Sequence, residues 1–127
     1  MLEINIRFQE EYLRLDSLCR EFFSNKRGVS LYIEHMQNTP PKEQSLIDGW
    51  ERDYKALRHM RHIRNKFAHE LDSLNAHLCK ESDIEWLRHF YDRIMNETDP
   101  LTQLSDLRNQ SFFKKLFRKI KQLFGGK

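Results

Sequence analysis

Apolar residues recur every three to four positions along most of this chain, the period of a helix that buries one face. Leu2, Ile6, Tyr12, Leu15, Leu18, Phe22 and Phe23 mark a first helix over residues 2–24. Asn25-Lys26-Arg27-Gly28 stops it, because Gly28 tolerates the left-handed conformation that closes helices. Ser30 is the expected N-cap of a short helix over residues 31–37, and Thr39-Pro40-Pro41 breaks that helix. A long third helix is expected over residues 44–71, where Leu46, Ile47, Trp50, Tyr54, Leu57 and Phe67 keep the period. Gly49 weakens it without ending it. Residues 72–80 lack periodicity and read as a loop.

Ser82-Asp83-Ile84-Glu85 reads as a capping box opening a fourth helix, whose buried face is Trp86, Leu87, Phe90, Tyr91, Ile94 and Met95. Asp99-Pro100 ends it. Residues 101–110 read as a connector, with or without a helical turn. A last helix over residues 111–124 carries Phe112, Phe113, Leu116, Phe117, Ile120, Leu123 and Phe124 on one face. Lys114, Lys115, Arg118, Lys119 and Lys121 occupy the other. No internal repeat and no strand pattern stands out. The expected architecture is all-α: an up-and-down bundle of four to five helices over residues 1–105, then a connector and a basic amphipathic helix over residues 106–127.

With 127 residues, 39% apolar and 12% aromatic, the chain is long and apolar enough for one domain with its own core. MLEINIRFQE alternates polar and apolar residues, so neither a signal peptide nor a membrane span is read, and a cytoplasmic location is expected. Cys19 and Cys79 then read as reduced, inert thiols, with no CxxC to suggest redox or zinc chemistry. The net charge of +3 conceals a segregation. Residues 108–127 carry seven Lys or Arg and no acid, while residues 1–107 carry the other fifteen against all nineteen acids, a net of −4. A basic end on an acidic body points to an anionic partner.

The candidate chemistry lies in RHMRHIRNKFAHE, residues 58–70. At about 100° per residue, Arg58, His62, Asn65 and His69 fall in one row with Arg61 and Arg64 beside it, while Phe67 turns inward. No acid of the helix interrupts that face before Glu70. RNA cleavage needs such groups. Histidine takes a 2′-hydroxyl proton near neutral pH, arginine meets the charge on the nonbridging oxygens, and asparagine orients a hydroxyl or an imidazole. On one helix, however, Arg64 and His69 are roughly 140° and about 7.5 Å of axis apart, so they converge poorly on one group. Two such helices facing across a two-fold axis would bring both sets into one cleft. The bland alternative is a solvated face, or cations placed at a helix C-terminus by the macrodipole.

RNKFAH resembles the Arg-X(4–6)-His signature of HEPN domains, with Asn65 as the polar residue usual after the arginine. GVSLYIEHM, DIEWLRHFYDRI and the closing TDPL are similar to segments of a group of small uncharacterised bacterial HEPN-like proteins. The resemblance covers about residues 1–105. It implies a helical bundle, commonly dimeric, and a metal-independent ribonuclease of toxin–antitoxin or anti-phage systems with one site built from both protomers. By position, Arg64 and His69 become the catalytic pair and Asn65 the supporting polar residue. Some HEPN domains are instead inactive modules that bind RNA or a protein.

The expected substrate is therefore RNA, with Arg58, Arg61, His62 and Lys66 beside the site and Lys114, Lys115, Arg118 and Lys119 of the tail as further phosphate contacts. The expected partners are a second copy of the chain and an antitoxin or defence protein. His59 and His62 have a spacing that suits a metal, but His69-Glu70-Leu71-Asp72-Ser73 lacks the second histidine of a zincin. No metal and no cofactor are expected. FFKKLFRKIKQLF suits docking on the bundle or across a dimer, an anionic membrane surface, nucleic acid or a partner groove. A membrane-peripheral adaptor is thus a further reading.

Overall fold

A computed structural model describes residues 2–70 and 75–124. Among the described residues six helices follow one another: α1 (Glu3–Phe23), α2 (Val29–Asn38), the single turn α3 (Pro41–Gln44), α4 (Trp50–His69), α5 (Glu81–Met95) and α6 (Pro100–Phe124). No strand occurs among the described residues, and the helices pack as the expected all-α bundle. α1 lies along α5 and α2 lies along α4, with the start of α6 set against α2.

The buried row of α1 differs from the expected one. Phe8, Tyr12, Leu15 and Cys19 form it together with Asn5 and Asp16, while Ile6 and Phe22 are exposed. Ile6 is two residues from Phe8, so about 200° separates them and both cannot face the core. The two polar members are buried because each bonds backbone, Asn5 in the loop before α5 and Asp16 at the start of α2. Asn5 Nδ2 donates to the Ala76 carbonyl at 3.0 Å, and Asp16 Oδ1 accepts the Val29 N–H at 2.9 Å. That second bond also corrects the start of α2. Ser30 does not cap it; Gly28 precedes it, and the cap comes from Asp16 on another helix.

The expected helix over residues 44–71 starts late: α3 ends at Gln44, residues 45–49 are turns, and α4 begins at Trp50. Gly49 takes a left-handed φ of 73° and stands just before the first residue of α4, so it does interrupt the expected helix. The break lets Ile47 and Trp50 both reach the core while Leu46 turns outward. Leu71 and the loop residues 72–74 lie outside the described residues. α5 begins at Glu81, with the Lys80 N–H donating to Asp83 Oδ2 at 2.8 Å, so the cap pair sits two residues before Ser82 and Glu85. Met95 is exposed rather than buried.

The largest difference is in α6, an unbroken helix of 25 residues with no connector at 101–110. Asp99-Pro100 opens a helix as well as following one. Buried Asp99 accepts the Thr102 N–H at 3.3 Å and hydroxyl at 2.6 Å, and proline suits the first helical position. The Tyr32 hydroxyl donates to Asp99 and accepts the Leu101 N–H at 3.1 Å, tying α6 to α2. Leu104 is buried, and a two-pronged Arg108–Glu43 pair at 2.8 and 3.0 Å joins α6 to α3. Beyond that pair the described side chains of α6 are exposed, with Ser111, Phe112 and Lys115 still lining a depression shared with Glu43, Leu46, Leu104 and Leu107.

Candidate functional site

The rotation of α4 is set by its apolar row. Leu57, Met60, Ile63 and Phe67 are buried against α1 and α2, so Arg58, His59, His62 and His69 are exposed. Lys55, Arg58, His59, Arg61, His62 and Asn65 line a shallow depression of about 410 Å³. Five of these six are cationic or become so on protonation of an imidazole. Two carboxylates touch the rim: Glu51 Oε1 lies 3.7 Å from Lys55 Nζ, and Asp83 Oδ1 lies 3.6 Å from His59 Nε2. The absence of acids expected along α4 therefore does not extend to its neighbour α5, because Asp83 reaches over while capping that helix.

Asn65 joins two sides of the site. It lines the depression, and its Oδ1 accepts from Arg64 Nη1 at 3.1 Å. Arg64 itself leaves α4 on the α1 flank, its guanidinium 5.7 Å from the centre of the Tyr12 ring. Burial holds the Tyr12 phenol well above its usual pKa and Asp16 adds to this, while Arg64 and Arg61 pull in the opposite direction. Tyr12 is thus a neutral platform under Arg64. Arg58 rests likewise near the Tyr54 ring, at 5.6 Å.

His69 is the last residue of α4 and is exposed. The Glu70 N–H donates to the Lys66 carbonyl at 2.9 Å, so the helix stays regular through this turn. Arg64 and His69 consequently keep the separation expected for a straight helix, roughly 140° apart around the axis. A single chain does not bring them to one atom. His69 lies one turn beyond the depression, and Lys66 is on α4 without lining it. Lys55 and His59, absent from the expected phosphate contacts, do line it. Their signal was present in sequence, since positions 55, 58, 59, 62, 65 and 69 follow the same helical spacing.

The tail cations are elsewhere. Lys115, Arg118 and Lys119 line their own depression with Phe112, Leu116 and Gln122, and Lys114 is exposed beside them. Within one protomer the two cationic sets line separate surfaces. A cavity of about 770 Å³ lies between the ends of α1, α2 and α5 and the start of α6. Its apolar wall includes Leu18, Phe23 and Leu101, with His35 stacked on Phe23 at 5.0 Å, and no α4 residue takes part. Cys19 and Cys79 are free, buried thiols, and burial pushes Cys19 up to about 12. Among the described residues no three His, Cys, Asp or Glu side chains are grouped to hold a metal ion, and no helix is long and apolar enough to cross a membrane.

A family model, that of the family of unknown function DUF6548, matches residues 6–123, which takes in both the bundle and α6. No curated protein and no solved structure matches the chain.

Proposed function

We propose that this chain, which belongs to the family of unknown function DUF6548, is a metal-independent endoribonuclease of the HEPN type that works as a homodimer in the cytoplasm. The observation that carries the reading is the exposed α4 face, where an arginine-held asparagine adjoins a depression of Lys55, Arg58, His59, Arg61 and His62. A polyanion bound there gains several charge-assisted contacts at once. Two α4 helices facing across a two-fold axis would set Arg64 of one copy near His69 of the other. One imidazole then takes the 2′-hydroxyl proton as the 2′-oxygen attacks phosphorus. The phosphorus–O5′ bond breaks, and a second imidazole returns a proton to the departing oxygen. Arg64 offsets charge on the nonbridging oxygens, and Asn65 orients it. A toxin-like or anti-phage role, with an antitoxin or defence partner restraining the enzyme, belongs to the same proposal.

The test is cleavage of structured and unstructured RNA in EDTA by the wild type, Arg64→Ala and His69→Ala. Each variant is expected to lose about a hundredfold or more of the rate, the usual scale for a proton-transfer group. Undiminished cleavage by both variants would sink the catalytic assignment. A second reading, an RNA-binding module without catalysis, is favoured by one observation. Arg64 is held by Tyr12 and Asn65, and His69 lies outside the depression, so phosphate can bind without either. RNA binding by a wild type that does not cut would select it.

A further inference from the structure

We infer that α6 beyond Arg108 is a docking helix for an anionic lipid bilayer, lying in the plane of its surface. Because α6 is one unbroken helix, the directions of its two halves can be compared. At about 100° per residue, Leu101, Leu104 and Leu107, which meet the bundle, centre on one side of the axis. Phe112, Phe113, Leu116, Phe117, Ile120 and Leu123 fall within an arc of about 140° centred roughly 150° away from that side. Apart from Phe112, which borders a depression shared with Leu46, Leu104 and Leu107, the apolar half of the tail therefore faces away from its own core. Phe112 is 62% exposed, Phe117 71% and Leu123 78%, an exposed aromatic and aliphatic stripe of a kind that marks an interaction surface.

The opposite arc holds Lys114, Lys115, Arg118, Lys119 and Lys121, and residues 108–124 contain no acid. This charge selects the occupant. Pairing two tails face to face would cover the apolar arc but leave both cationic arcs without a counter-charge. RNA would meet the cations and leave the apolar arc in water. A bilayer with anionic lipid covers both: the aromatic arc sinks to the acyl boundary, and the lysine stems reach the headgroup phosphates. No described helix is long and apolar enough to cross the membrane, so the mode is peripheral. The bundle, on the other side of α6, stays in water.

The experiment is co-sedimentation of the full chain with vesicles of phosphatidylcholine, alone or with roughly a third phosphatidylglycerol. Binding is expected to be about tenfold or more tighter on the anionic vesicles and to weaken as salt rises. Phe113→Ser with Phe117→Ser should lower it by about tenfold or more without moving the thermal midpoint, because both rings are exposed. In a second readout, Phe117→Cys is labelled with an environment-sensitive dye, which buried Cys19 and Cys79 leave as the accessible thiol. Its emission should shift to the blue on anionic vesicles. Absence of binding, equal binding to both vesicle types, or binding indifferent to the double substitution would overturn the assignment. A wild type that ignores vesicles but forms an oligomer lost in the double variant would give the face to a second copy.

Discussion

Gly28 stands at φ 54°, ψ −123°, and a Cβ there would meet Asp16 Oδ1 at 2.3 Å and the Asp16 carbonyl at 2.8 Å. Gly49 is also left-handed, yet its added Cβ would meet only the guanidinium of Arg52, which can swing aside. Gly28→Ala is accordingly expected to cost about 3 kcal/mol, from backbone strain together with displacement of the Asp16 cap, and Gly49→Ala about 1 kcal/mol. Urea unfolding of the two variants would measure this, and equal losses would contradict the role given to Asp16. Tyr32 and Cys19 set a pH dependence. Burial, then Asp99, raises the Tyr32 phenol well above 10.0, and burial, then Asp16, raises the Cys19 thiol from 9.0 to about 12. Both groups stay protonated in the fold, so their contribution is intact below pH ~9 and is lost as pH rises through the folded values. The urea midpoint should fall between pH ~8 and pH ~10.5, and the fall should shrink in Cys19→Ala. A midpoint that rises over that range would reverse the sign.

At the scale of elements, the apolar period located α1, α2 and α5 to within a few residues, and it put Arg64 and His69 on one long helix. It misplaced the caps. Ser30 and Ser82 have cap chemistry, but the cap of α2 comes from Asp16, thirteen residues away, and that of α5 from Asp83 acting on Lys80. A local pattern does not report the acceptor that Asp16 supplies through tertiary packing. The break at Gly49 was missed for a related reason, since the outward turn of Leu46 is chosen by what Ile47 and Trp50 gain on burial. The join of α6 was missed because Asp99-Pro100 ends helices and opens them equally well. Tyr32 decides between these by clamping Asp99 and the Leu101 N–H. Truncation after residue 110 should therefore leave the thermal midpoint nearly unchanged, whereas truncation after residue 99 should unfold the bundle by removing Leu104 and the Thr102 bonds. Circular dichroism melts of the two truncations decide this, and equal destabilisation would contradict the division of α6 into anchored and free halves.

For the whole molecule, the separation of Arg64 from His69 has a consequence under the proposed mechanism. If the site is shared, Arg64→Ala mixed with His69→Ala forms heterodimers in which one site regains both groups. Mixing the two inactive variants should then restore part of the cleavage, and light scattering should report a dimer for each. No recovery from dimeric variants would place the chemistry elsewhere. The charge layout fits two separate tasks: a cationic α4 face for a polyanion and a cationic, apolar α6 for a lipid surface, both carried on an otherwise acidic bundle.

Sequence alone determined the helical class, the outward set of Arg58, His62 and His69, the angular divergence of Arg64 from His69, and the amphipathic character of the tail. All of these follow from helical periodicity, which is local. Only the tertiary structure decided that Asn5 and Asp16 are interior, that Asn65 holds Arg64 beside Tyr12, that Asp83 reaches His59, and that the apolar arc of α6 turns away from its own core. Each of those depends on contacts between helices far apart in the chain, or on whether two helical segments join in phase.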